Sequence, residues 1–227
     1  MKTHAIRGLL LKDWFSVRSY IARQLGLIAV IYLVLSFGLK SAAMFTSMLL
    51  LGGMMGLLSL FAVDDSCQWN AYAGILGLRP GQLVAARYIA VYGCMLLLTV
   101  ISAAASVVLE LFVFRPLFGT ADAAENALVG IATGAAIFLF YGLMMALDIP
   151  LYYKLGVEKA RIPTTLTMVV PFIAIVTTAS YWGPLLDTLD LAALPWGWIF
   201  LAIAAAFAAC IALSAAVSAR ILAKKEL

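Results

Sequence analysis

The sequence predicts an all-α membrane protein: six transmembrane helices, with an amphipathic interfacial helix ahead of the first. Three observations predict it. Hydrophobic residues make up 65% of the chain and charged residues 11%, against about 25% charged in soluble domains, and the mean hydropathy is +1.08. Six apolar stretches recur, each near the roughly 20 residues a helix needs to cross a hydrocarbon core. When these are threaded through a bilayer, 13 of the 15 Lys and Arg fall on one side, as expected of cytoplasmic loops, which retain basic residues.

Residues 1–20 come first. Ile6, Leu10, Trp14, Val17 and Ile21 form one helical stripe with Arg7 and Arg18 along its edge, the pattern of a helix lying in the membrane interface. Leu11 and Phe15 fall off that stripe, so a basic extension of the first span is the other reading. The spans follow at about 21–39, 42–63, 88–114, 126–148, 164–182 and 196–219. Arg23 and Gln24 sit in the first turn of the first span, where long side chains snorkel to the headgroups. Lys40-Ser41 is little more than a turn, and the two longer outer loops carry Asp122, Glu125, Asp187 and Asp190. About 20 polar and basic residues precede the first apolar run and no small-residue cleavage site follows it, so no cleaved signal peptide is expected. Both termini are expected in the cytoplasm.

Between the second and third spans the chain is more decorated than a link requires. Asp64-Asp65 leave the membrane, and Trp69, Tyr72, Ala73 and Leu76 then recur at helical spacing. This predicts a short amphipathic helix on the membrane face, broken by Arg79-Pro80-Gly81. Headgroup anchoring by Trp69 and Tyr72 explains the same residues equally well.

Other chemistries are poorly supplied. The single histidine, His4, leaves no His base near any span and no His-Glu-x-x-His zinc motif. No Gly-x-x-x-x-Gly-Lys-Ser/Thr loop is present to hold a nucleotide. Glu110 and Asp148 fall near opposite ends of their spans rather than at the midplane, which weakens a proton- or sodium-coupled carrier. Cys67, Cys94 and Cys210 lack metal-ligand spacing and read as free thiols. The net charge of +4 is a topology signal and not a nucleic-acid face. Gly52-x-x-x-Gly56, Gly130-x-x-x-Gly134 and the series Ala204, Ala208, Ala212, Ala216 read first as close helix packing within the chain, with a subunit interface as the other reading.

Two inner segments carry a resemblance. Asp64-Asp65, Gln68-Trp69-Asn70-Ala71-Tyr72, Ile75-Leu76 and Leu83-Val84-Ala85-Ala86-Arg87-Tyr88 resemble the first cytoplasmic loop of the small six-span type-2 ABC exporter permeases of bacteria. Pro150-Leu151-Tyr152-Tyr153-Lys154-Leu155-Gly156 with Glu158-Lys159-Ala160-Arg161 is similar to that family's second inner loop. A departure is Leu76-Gly77-Leu78-Arg79-Pro80, a displaced turn where relatives often carry a Leu-Pro dipeptide followed by a small residue and a basic residue.

The resemblance implies a permease subunit in the bacterial cytoplasmic membrane. It would pair with an identical subunit or a close paralogue, with a separate ATPase subunit holding ATP and Mg. Residues 1–20 would be the elbow helix, and the segment after Asp64 the coupling helix. Asp64, Asp65, Gln68, Trp69, Asn70 and Tyr72 would contact the ATPase, with Lys154, Glu158, Lys159 and Arg161 as secondary contacts. The path would run along the second and fifth spans, by Met44, Met48, Met55, Met168, Phe172 and Thr177. Met and Phe surfaces suit amphipathic peptides or lipophilic compounds, while ordinary lipid-facing packing explains most of these positions as well; within the family the chain resembles the exporters of phenol-soluble modulins and peptide antibiotics. A secondary transporter or channel, or a membrane scaffold that transports nothing, is the alternative. The only other partner expected is membrane lipid.

Overall fold

The computed structural model describes residues 2–39, 42–119, 123–187 and 195–225. Lys40, Ser41, Asp122 and Asp190 lie outside the described residues. No strand occurs among those described, and six helices are long and apolar enough to cross a membrane. The chain is therefore an all-α membrane protein. It divides into two compact units, one ending at Gly142 and the other beginning at Leu143.

In the first unit, α1 (Lys2–Leu39) is one continuous helix of 38 residues, about 57 Å long. No break separates an interfacial helix from the first span. The basic amino-terminal stretch is an extension of that span because it contains no proline and no capping sequence that would stop the helix. The helix α2 (Ala42–Ser66) packs antiparallel to α1. A Cβ added at Gly52 would run into Ile28 and one at Gly53 lies 3.6 Å from Leu25, while Asp64 meets Lys12.

The chain leaves α2 through Gln68, whose φ of 50° is left-handed. It then forms α3 (Trp69–Ile75), seven residues long. Gly77, with φ 70°, stops α3: the Leu78 N–H donates to the Ala73 carbonyl at 3.1 Å and the Gly77 N–H to the Gly74 carbonyl at 3.0 Å. These are the paired bonds of a Schellman ending, which favours glycine at the left-handed position. The breaker is thus Gly77 rather than Arg79-Pro80-Gly81. Pro80 instead opens α4 (Pro80–Val108) at its first position, where a missing N–H is harmless and the fixed φ is already helical.

From α4 the chain continues through a π-helical segment, Leu109–Phe114, into α5 (Arg115–Phe118). The widened π turn re-aims its side chains. Glu110 is buried there and accepts a hydrogen bond from Asn126 Nδ2 at 3.0 Å, and Phe114 packs edge-on to Phe37 at 5.3 Å. Asn126 belongs to α6 (Ala123–Leu155). Within the first unit α6 lies close on α4: a Cβ at Gly130 would come 2.7 Å from Ser106 Oγ, and one at Gly134 3.5 Å from Thr46. Gly52, Gly130 and Gly134 therefore serve packing within the chain.

The second unit contains the end of α6, α7 (Val157–Asp187) and α8 (Trp196–Lys225). Gly156 alone joins α6 to α7, at φ 77°, so the expected inner loop is helical almost throughout. Pro150 lies inside α6 and cannot donate to the carbonyl four residues earlier. That carbonyl belongs to Ala146, and it accepts a hydrogen bond from the Ser214 hydroxyl of α8 instead. Asp148 is fully buried, with Oδ1 accepting from Thr167 Oγ1 at 2.6 Å. Ala204, Ala208, Ala212 and Ala216 are all exposed, so this series, unlike Gly52, Gly130 and Gly134, packs against no helix among the described residues.

Candidate functional site

The polar interruption after α2 is built around four charges. Asp64, at the last turn of α2, is paired with both Lys12 of α1 and Arg87 of α4. Asp13 of α1 lies 3.1 Å from Lys12 Nζ and 3.4 Å from Arg87 Nη1. Two cations and two carboxylates make the cluster neutral, and Asp13, Asp64 and Arg87 are each at most 9% exposed. Neutrality matters because unpaired charges at this depth would carry a desolvation penalty of several kcal/mol each. Burial holds the Lys12 ammonium below its ordinary pKa; Asp13 opposes that shift and the Arg87 guanidinium adds to it.

Two rings close the cluster. Lys12 Nζ sits 4.3 Å from the centroid of the Trp69 ring and the Arg87 guanidinium 5.1 Å from that of Phe61, distances at which a cation is attracted to the ring face. Trp69 is the first residue of α3, so the cluster fixes that short helix by its base. Ala73, one turn on, is fully buried on the same face. The opposite face is open: Tyr72 is 60%, Ile75 83% and Leu76 67% exposed. The expected amphipathic stripe is thus divided, with Trp69 and Ala73 turned inward and Tyr72 and Leu76 outward.

The expected contact residues separate accordingly. Asp64 is consumed in the buried cluster, Trp69 is half-buried beneath Lys12, and Asp65, Gln68 and Tyr72 are exposed. The side chain of Asn70 lies outside the described residues. In the second unit, Lys154, Glu158, Lys159 and Arg161 are all exposed on either side of Gly156. Of the path residues, Phe172 is exposed and Met168 partly so, and Thr177 turns its hydroxyl back onto the Ile173 carbonyl of its own helix at 2.8 Å. The side chains of Met44, Met48 and Met55 lie outside the described residues.

Sequence reasoning missed Lys12, Asp13 and Arg87 as members of a site. A signal existed for Arg87 alone: an acid at one end of the loop and an arginine at the other bracket a helix too short to be stable unaided. Cys67, Cys94 and Cys210 form no disulfide with one another. No cluster of metal-ligating residues occurs among the described residues.

Six spans, with an ion-clamped short helix between the second and third, define a polytopic membrane protein. The chain belongs to the ABC-2 family: the model of the ABC-2 family transporter protein matches residues 8–223. That membership makes it a permease subunit, a membrane transport component that is not itself catalytic, and in general implies an ABC ATPase as partner. No curated protein and no solved structure matches the chain.

Proposed function

We propose that the chain is one half of an ATP-driven exporter in the bacterial cytoplasmic membrane, with both termini in the cytoplasm. α3 is its coupling helix. The observation that carries this reading is the pairing of a clamped base with an open apolar face: Trp69 held under Lys12, and Tyr72, Ile75 and Leu76 presented outward. A short helix bearing an exposed aromatic and two aliphatic side chains suits a groove on a partner, because such anchors dominate interface energetics once desolvated.

In this reading Tyr72, Ile75 and Leu76 seat in the ATPase, with Asp65, Gln68 and Asn70 at the rim. Lys154, Glu158, Lys159 and Arg161 make the secondary contacts around Gly156. Asp64 has a different task from its neighbours, tying α3 to the spans. ATP and Mg are bound by the partner, whose closure displaces α3 and, through the ion cluster, α1, α2 and α4 together. A second permease subunit, identical or a close paralogue, completes the transporter. The cargo is an amphipathic peptide or lipophilic compound moving past Met44, Met48, Met55, Met168, Phe172 and Thr177.

The test is co-purification with an ABC ATPase subunit, together with ATP turnover in vesicles. Ile75→Asp is expected to weaken association by about tenfold or more while leaving the permease folded, since Ile75 is a solvent-side anchor. Unchanged association and unchanged transport-linked turnover in Ile75→Asp and Tyr72→Ala would overturn the assignment.

A further inference from the structure

A cavity of about 500 Å³ lies in the first unit, between α1, α2 and α4. Its volume falls in the range of about 300–1,000 Å³ typical of small-molecule sites. Gly53 and Cys94 help to line it. Gly93, another lining residue, has nothing within 4 Å of where a Cβ would stand. On α4 the lining runs from Ala90 to Ile101. At 1.5 Å per residue this is about 16 Å, roughly half of a 30 Å hydrocarbon core and so the depth of one leaflet.

The lining is almost wholly apolar: its charged residues are Asp13 and Arg18, with Trp14 between them in sequence. Asp13 is already neutralised by Lys12 and Arg87. Arg18 is exposed, lies 4.8 Å from the Phe15 ring, and has no carboxylate within ion-pair distance among the described residues. Helical side chains tilt towards the helix amino terminus, which directs the Arg18 guanidinium out of the leaflet to headgroup level, where cations attract anionic lipid. Trp14 beside it has the amphipathic ring that settles at the same level.

We infer that this cavity is a binding site for one anionic phospholipid of the leaflet on the Asp64 side, its phosphate on Arg18 and an acyl chain running over Gly93 towards Ile101. The site needs only the bilayer and stands independently of what the permease transports. A lipid held there lies against α1, α2 and α4 below the ion cluster, and so bears on the same helices that clamp α3.

Native mass spectrometry of the full chain in mild detergent tests it, titrating phosphatidylglycerol and phosphatidylcholine with identical acyl chains. Wild type is expected to retain one phosphatidylglycerol with about fivefold preference, the scale of one basic residue facing an anionic headgroup. Arg18→Gln should erase the preference while keeping weak binding of either lipid. Gly93→Phe, which fills the open floor, should abolish retention of both; Leu97→Trp, on the same lining, serves if Gly93→Phe does not fold. Equal binding of the two lipids by wild type, unchanged selectivity in Arg18→Gln, or undiminished retention in the filled variants would overturn the site.

Discussion

Arg87 is 5% exposed and faces two carboxylates, Asp13 and Asp64, from a third helix. Replacing it by alanine leaves both acids buried with Lys12 as their one remaining cation among the described residues. Breaking a buried pair in this way is expected to destabilise by about 3–5 kcal/mol. Removing Asp64 and Arg87 together in an Asp64→Leu/Arg87→Met variant should cost less than the sum of the single changes, and a double-mutant cycle on unfolding in detergent measures the difference. Gln68 is a second residue-scale case. Its left-handed φ of 50° is easy only for glycine, so Gln68→Gly is expected to stabilise by up to about 1 kcal/mol, read as a raised thermal midpoint. The acidic pair Asp64-Asp65 was visible in the sequence, but its division was not. Which of two adjacent acids turns inward is set by the rotation of α2 against α1 and α4, and not by their order in the chain.

At the scale of elements, proline and glycine decide where helices stop and where they continue. Pro80 opens α4 and Gly77 closes α3, whereas Pro150 sits inside α6 and is tolerated because Ser214 satisfies the carbonyl it orphans. Ser214→Ala should therefore cost about 1–3 kcal/mol, the penalty for a buried acceptor left without a donor, and should kink or fray α6 near Ala146. A Ser214→Thr variant, which keeps the hydroxyl, separates the lost hydrogen bond from a general packing defect; equal destabilisation by both changes would refute the role. Span number was legible from hydropathy alone. The lengths of α1 and α4, which reach beyond the apolar runs, were not, because polar residues continue a helix as readily as apolar ones when neither proline nor a glycine cap intervenes.

For the molecule as a whole, small residues set how closely the spans of the first unit approach. A methyl at Gly130 would press on Ser106, while one at Gly93 meets nothing. Gly130→Ala is expected to destabilise by about 1–3 kcal/mol through overpacking. Gly93→Ala should be neutral or stabilising by up to about 1 kcal/mol, through helix propensity. Thermal unfolding of the two variants side by side checks the contrast. The candidate site is likewise a product of assembly. Lys12 and Asp64 are 52 residues apart in sequence, and Arg87 and Asp64 are 23 apart.

Sequence by itself determined the membrane class, the six spans and the place where polar chemistry gathers, because each rests on local composition and length, which the bilayer reads directly. Tertiary structure alone decided that Lys12, Asp13, Asp64 and Arg87 form one neutral cluster, that Trp69 lies beneath it, and that Tyr72, Ile75 and Leu76 remain open. Those facts depend on the relative rotation of packed helices, a quantity that periodicity along a single helix does not contain.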